Sequence, residues 1–166
     1  IHHDQATFDL SHPWATMMTM SNQQTILQPV TSHEMRIRVR YAECDPMGYL
    51  HHSKYFEYFE MGRTELLRAA GTRYRDLEAS GVLFVVAKVE CRFRQPARYD
   101  DELTLQIRIA RQTTARIDHE YKLFRDGTLL TDATTTLACV DRAGKVIPIP
   151  DLSRNGNSEL RVENLE

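Results

Sequence analysis

The sequence predicts an α+β domain, a mostly antiparallel sheet covered by one long helix. Three observations carry this. A single stretch with helical apolar spacing follows a turn at Asp45-Pro46-Met47-Gly48 and stops at Gly71. Beyond Gly81 the apolar period changes to two and stays there. The links between those later segments are short, so consecutive strands fold back on one another and the helix must cover one face.

The first element spans 34–41. Arg36, Arg38 and Arg40 alternate with Ile37, Val39 and Tyr41, the pattern of a half-buried strand with Tyr41 on its apolar face. The turn follows, with Pro46 fixing one φ and Gly48 free to take a positive one. Ser53 is the expected N-cap of the helix. Tyr55, Phe56, Phe59, Gly62, Leu66 and Ala70 form its apolar stripe, and Glu57, Glu60, Arg63, Glu65 and Arg68 cover the rest. Gly62 permits close approach of whatever encloses the helix. Residues 73–80 read as a short second helix.

In the next strand Val85, Ala87, Val89, Cys91 and Phe93 oppose Lys88, Glu90, Arg92 and Arg94, and Pro96 stops it. Segments 103–109, 117–124 and 129–140 follow, with a hairpin at Asp126-Gly127, and are expected to continue as a meander. The domain is taken as 34–150, preceded by a polar extension over 1–33 and followed by a polar tail over 151–166. Strands this long leave edges that favour pairing with a second copy, so a dimer is expected.

Composition narrows the function classes. One domain suits 166 residues, and a net charge of -2 offers nothing global to nucleic acid. Cys44, Cys91 and Cys139 are an odd, widely spaced set, which suits reduced thiols in the cytoplasm better than a disulfide framework. No apolar run reaches the roughly 20 residues that span a bilayer, and the amino end lacks the basic-then-apolar order of a signal peptide.

The candidate chemistry lies between Tyr41 and Arg68. Asp45 has two readings: a turn residue bonding its own backbone, or a carboxylate held beside a helix start, where outward N–H groups can receive an electron-rich oxygen. His52 is a helix-entry hydrogen-bonding residue or an orienting group and proton carrier. Neighbouring His51 should diverge from it, which argues against a shared metal. Glu43 reads as a turn stabiliser, and Glu60–Arg63 as a surface ion pair. No nucleophile elbow, phosphate-binding loop, dinucleotide fingerprint or H-E-x-x-H is present.

With these residues assembled, the chain resembles hotdog-fold acyl-CoA thioesterases of the 4-hydroxybenzoyl-CoA thioesterase type. Among them it is most similar to the bacterial acyl-CoA hydrolases associated with the Tol-Pal system. The pattern Y-x-x-x-D-x-x-G-x-x-x-H-x-x-Y is matched by Tyr41, Asp45, Gly48, His52 and Tyr55. The run E-x-x-R-x-E-x-L-R is matched by Glu60, Arg63, Glu65, Leu67 and Arg68. The resemblance implies a five-stranded antiparallel sheet wrapped around one helix, assembled as a dimer or tetramer with active sites between subunits. It implies Asp45 as general base or nucleophile, assisted by His52 and Tyr41. Gly48, Ser53 and Tyr55 would line the substrate, Arg111 and Arg116 would hold CoA phosphates, and no cofactor or metal would take part. Its alternatives are hydrolysis of acyl groups on acyl carrier protein, or a hotdog module that binds acyl-CoA without turnover. His51 departs from the aromatic or apolar residue usual there, so no acyl group is carried over.

Overall fold

A computed structural model describes residues 30–152. The expected extension before residue 30 and the tail beyond 152 lie outside it. Ser32 and His33, assigned above to the extension, are part of the first strand. The elements are β1 (Ser32–Arg38), a 3-10 turn (Tyr41–Glu43), α1 (His52–Ala69), α2 (Tyr74–Ala79), β2 (Leu83–Phe93), β3 (Glu102–Gln112), β4 (Arg116–Arg125) and β5 (Thr128–Val140). The five strands form one antiparallel sheet in the order β1-β3-β4-β5-β2.

The expected meander holds for β3, β4 and β5 but not for β2, which pairs with β5 instead of β3. The cause is the helix. α1 connects β1 to β2 across the concave face, so the two strands flanking it in sequence occupy opposite edges. Residues after β2 then return to β1, where Val39 and Asp101 exchange backbone bonds with help from Asp100 (Val39 N–H to Asp101 O, 3.0 Å; Asp100 N–H to Val39 O, 3.0 Å).

α1 packs chiefly over β1 and β3. A Cβ on Gly62 would come within 2.8 Å of Leu105 Cδ2, so only glycine lets the helix sit this close to the sheet. Phe59 and Tyr121 stack with centroids 4.6 Å apart, among the fully buried Leu103, Leu105, Leu123 and Leu130. Each such side chain contributes about 1.5–3 kcal/mol of burial. The helix ends at Gly71, whose φ of 89° is left-handed, with Thr72 N–H reaching back to Leu67 O at 3.1 Å. Asp126 and Gly127 both have positive φ, as a two-residue turn with the hairpin's twist requires.

Four local expectations are corrected. β1 ends at Arg38, and Tyr41 is not on its buried face but in the 3-10 turn, 79% exposed. The helix cap is His51, not Ser53, because the His51 side chain accepts the Ser53 N–H. Phe56 lies at the surface, and Tyr58 takes the buried position instead. In β2 an irregularity between Val86 and Lys88 reverses the alternation. Paired residues share a face, so Phe84 and Val86 join Cys139 and Leu137 inside, as do Val89, Cys91 and Phe93 beyond the bulge, while Val85 turns outward with Ala138.

The inner face of β2 is poorly covered. Val86, Val89 and Phe93 are 51%, 43% and 48% exposed, on an edge strand. No helix among the described residues is long and apolar enough to cross a membrane.

Candidate active site

The segment from Cys44 to His51 is a compact loop tied at each end. Cys44 bridges Leu50, Asp45 N–H donates to Tyr49 O at 2.8 Å, and Gly48 N–H donates to Asp45 O at 2.9 Å. The positive φ of Gly48 (78°) closes that turn. Asp45 Oδ1 accepts from the N–H groups of Met47 (2.9 Å) and Tyr49 (3.2 Å). The turn-forming reading of Asp45 therefore describes one carboxylate oxygen. Oδ2 has no hydrogen bond among the described residues, so the carboxylate is held in place with one oxygen free. Gly48 stands at the turn itself.

Neighbouring groups brace the loop. Tyr49 bridges Arg98, whose guanidinium lies 4.5 Å over the Tyr49 ring. Leu50 N–H donates to Ala97 O at 2.8 Å. Beneath, Glu43 is buried and accepts from Arg40 N–H and the Tyr58 hydroxyl, both at 2.7 Å, while its carbonyl receives His51 N–H at 2.9 Å. Burial and then the Glu43 carboxylate push the Tyr58 phenol well above its ordinary range. Glu43 thus anchors the turn, as expected, but its partner Tyr58 escaped the sequence reading. A carboxylate followed fifteen residues later by an aromatic has no local signature.

At the helix start, His51 Nδ1 lies 2.8 Å from Ser53 Oγ and accepts Ser53 N–H at 3.3 Å, and Lys54 N–H donates to His51 O at 2.9 Å. The first helical amide, that of His52, has no acceptor among the described residues. The His51 and His52 rings do not diverge. Their centroids are 4.2 Å apart, because His51 is extended while His52 is already helical. The described residues contain no group of three or more side chains able to hold a metal.

The other candidates spread out. Tyr41 meets Tyr99 edge-on with centroids 5.4 Å apart, at the surface beside the loop. Tyr55 is buried against Phe93 at 5.0 Å. Burial raises its phenol pKa, opposed by the Ala97 backbone and the Thr131 hydroxyl. Arg111 and Arg116 flank the β3–β4 hairpin, at the opposite end of the sheet from Asp45. Nine residue steps along β3 carry the chain from Glu102 to Arg111, roughly 30 Å at ~3.3 Å per step. One chain therefore brings Asp45, His52, Ser53 and Tyr41 to one end and leaves these arginines at the other.

Comparison with known proteins supplies the context. The profile of the Thioesterase-like superfamily matches residues 39–155. The acyl-CoA thioesterase YbgC of Haemophilus influenzae is 34% identical over 114 residues, which are 68% of this chain and 83% of that protein. The structure of a DHNA-CoA thioesterase from Staphylococcus aureus superposes with a TM-score of 0.69 at 26% identity, over 70% of this chain and 80% of that one. A 4-hydroxybenzoyl-CoA thioesterase shares the fold at a TM-score of 0.68 and 17% identity, over 73% of this chain and 94% of that one.

Proposed function

The chain belongs to the thioesterase-like superfamily and is a hotdog-fold thioester hydrolase, and from that premise we propose that it cleaves acyl-CoA with Asp45 as the reacting carboxylate. The observation that carries this reading is the clamp on Asp45: Oδ1 is fixed by two amides and Oδ2 is left open, just before the start of α1. The thioester oxygen would sit at the His52 N–H, where the positive end of the helix favours the charge that develops on it. Asp45 Oδ2 either takes a proton from water as that water attacks the carbonyl carbon, or attacks the carbon itself to form an anhydride that water then opens. In both routes the C–S bond breaks, the electron pair leaves on sulfur, and the proton from water ends on the CoA thiol. His52 and Tyr41 would orient the water or the thioester.

The same reading takes a homodimer as the working unit. An isologous, antiparallel pair of β2 edges would set the beginning of β2 in one copy beside its end in the other. That arrangement would continue the inner face that bears Val86, Val89 and Phe93 across both copies. It also carries the Arg111 and Arg116 end of a second copy to the Asp45 end of the first, where their guanidinium groups could meet CoA phosphates.

The test is Asp45→Asn. The amide oxygen can still accept from Met47 and Tyr49, so the loop should keep its shape, while kcat for thiol release from acyl-CoA falls about 10²–10⁴-fold. A kcat within threefold of wild type would remove Asp45 from the reaction.

A further inference from the structure

The loop that carries Asp45 rests against the connection between β2 and β3, and an arginine at the end of β4 holds that connection in place. β2 ends at Phe93, after which the N–H groups of Arg94 and Gln95 both donate to Leu130 O on β5, at 2.8 and 3.2 Å. From Pro96, which has no N–H to give, the chain leaves the sheet until β3 begins at Glu102. Arg125 reaches this stretch from β4. Its Nη1 donates to Pro96 O at 3.3 Å and to Asp101 Oδ2 at 2.7 Å, and the same Oδ2 accepts Arg98 N–H at 2.8 Å. Asp100 lies within the stretch at a left-handed φ of 69°, a conformation kept only by the bonds around it. The Arg125–Asp101 pair is largely enclosed, at 30% and 21% side-chain exposure, so water screens it less than the nearby Arg36–Glu102 pair at 77% and 45%.

What this clamp holds is the wall behind Asp45. Ala97 is fully buried, and its carbonyl receives Leu50 N–H at 2.8 Å. Arg98 pairs with Tyr49 through the backbone and covers its ring. Tyr49 in turn gives its N–H to Asp45 Oδ1 at 3.2 Å and accepts Asp45 N–H at 2.8 Å. A shift of Ala97 and Arg98 therefore moves Tyr49, and with it two of the bonds that aim the Asp45 carboxylate.

Resting on the reading of Asp45 as the reacting carboxylate, we propose that Arg125 and Asp101 are positioning residues for the reaction, fixing the line along which Asp45 Oδ2 meets water or the thioester carbon. Small displacements matter here, because a misplacement of ~1 Å can cost about 10²-fold in rate. The two side chains act through the loop and not on the substrate, so their loss falls on kcat and leaves KM in place. Both contacts of Arg125 come from one nitrogen, which a lysine ammonium can imitate.

The experiment measures kcat and KM for thiol release from one acyl-CoA, per folded molecule, in wild type, Arg125→Met, Arg125→Lys and Arg36→Met. Arg125→Met is expected to lower kcat about 10- to 10²-fold with KM within threefold of wild type. Arg125→Lys should recover most of that loss, and Arg36→Met, which breaks the exposed pair beside the same connection, should leave kcat unchanged. Amide hydrogen exchange, which needs no turnover, should be at least tenfold faster at Tyr49 and Leu50 in Arg125→Met and unchanged in Arg36→Met. A wild-type kcat in Arg125→Met, a loss confined to KM, or unchanged exchange at those amides overturns the assignment. If Arg125→Met does not fold, Asp101→Asn is held to the same kcat and exchange criteria. The double variant Asp45→Asn, Arg125→Met separates the two readings. It should be within about threefold of Asp45→Asn alone; losses that multiply in full sink the positioning role alone, whereas near-normal turnover in Asp45→Asn by itself removes Asp45 from the reaction.

Discussion

Acidification should destabilise this protein through His119, and the size of the effect follows from the fold. An unfolded histidine titrates near 6.5, whereas burial and the Arg63 guanidinium hold His119 down to about 4 in the folded chain. The groups acting on it are Arg63 from α1, which opposes protonation, and Asp118 from its own strand, which weakly favours it. Above pH 6.5 both states are neutral here and stability is complete. Below it the unfolded chain binds a proton that the folded chain refuses, so unfolding gains up to ~1.4 kcal/mol per pH unit until the folded site titrates near 4. Between pH 7.5 and 4.5 that amounts to about 2.5 kcal/mol. Urea unfolding at fixed protein concentration, repeated across this range for wild type and His119→Phe, isolates it. Carboxylate titrations act on both proteins and cancel in the difference. Wild type should lose about 2.5 kcal/mol more than the variant. Parallel curves, agreeing within ~0.5 kcal/mol, would mean that His119 is not held neutral by burial and that the reasoning is wrong.

Further outcomes follow from particular contacts. Tyr58→Phe leaves buried Glu43 with one donor fewer and should lower stability by about 2 kcal/mol in urea unfolding; a loss under ~0.5 kcal/mol would mean that the bond is solvent-compensated. Gly62→Ala sets ~1 kcal/mol of helix propensity against ~1–3 kcal/mol of overpacking on fully buried Leu105, so a net destabilisation is expected, and Leu105→Val should relieve it in a double-mutant cycle. In the proposed β2-paired homodimer, Val89→Lys puts a charge on the exposed inner face of β2 and should shift light-scattering mass toward the monomer at micromolar concentration. An unchanged dimer would move the interface elsewhere.

Much of this protein was legible without coordinates, because the signals are local. The turn at Asp45–Gly48, the helix ending at Gly71 and the hairpin at Asp126-Gly127 follow from φ preferences and apolar spacing that act within a few residues. Asp45 and His52 lie in one short segment, so the loop and helix start that carry them follow from the same local preferences. The tertiary structure decided what depends on partners distant in sequence. A bulge at Ala87 reverses the inward face of half of β2, and one inserted residue leaves a period-two pattern looking intact. Tyr41 left the core because the chain turns at Arg40, where Glu43 can reach the backbone and meet Tyr58. His119 looked like any inward strand position between Ile117 and Tyr121. Its burial, its unpaired nitrogen and its cavity exist only because α1 and α2 close over β4 and β5, and no short-range preference encodes which side chains such a closure encloses.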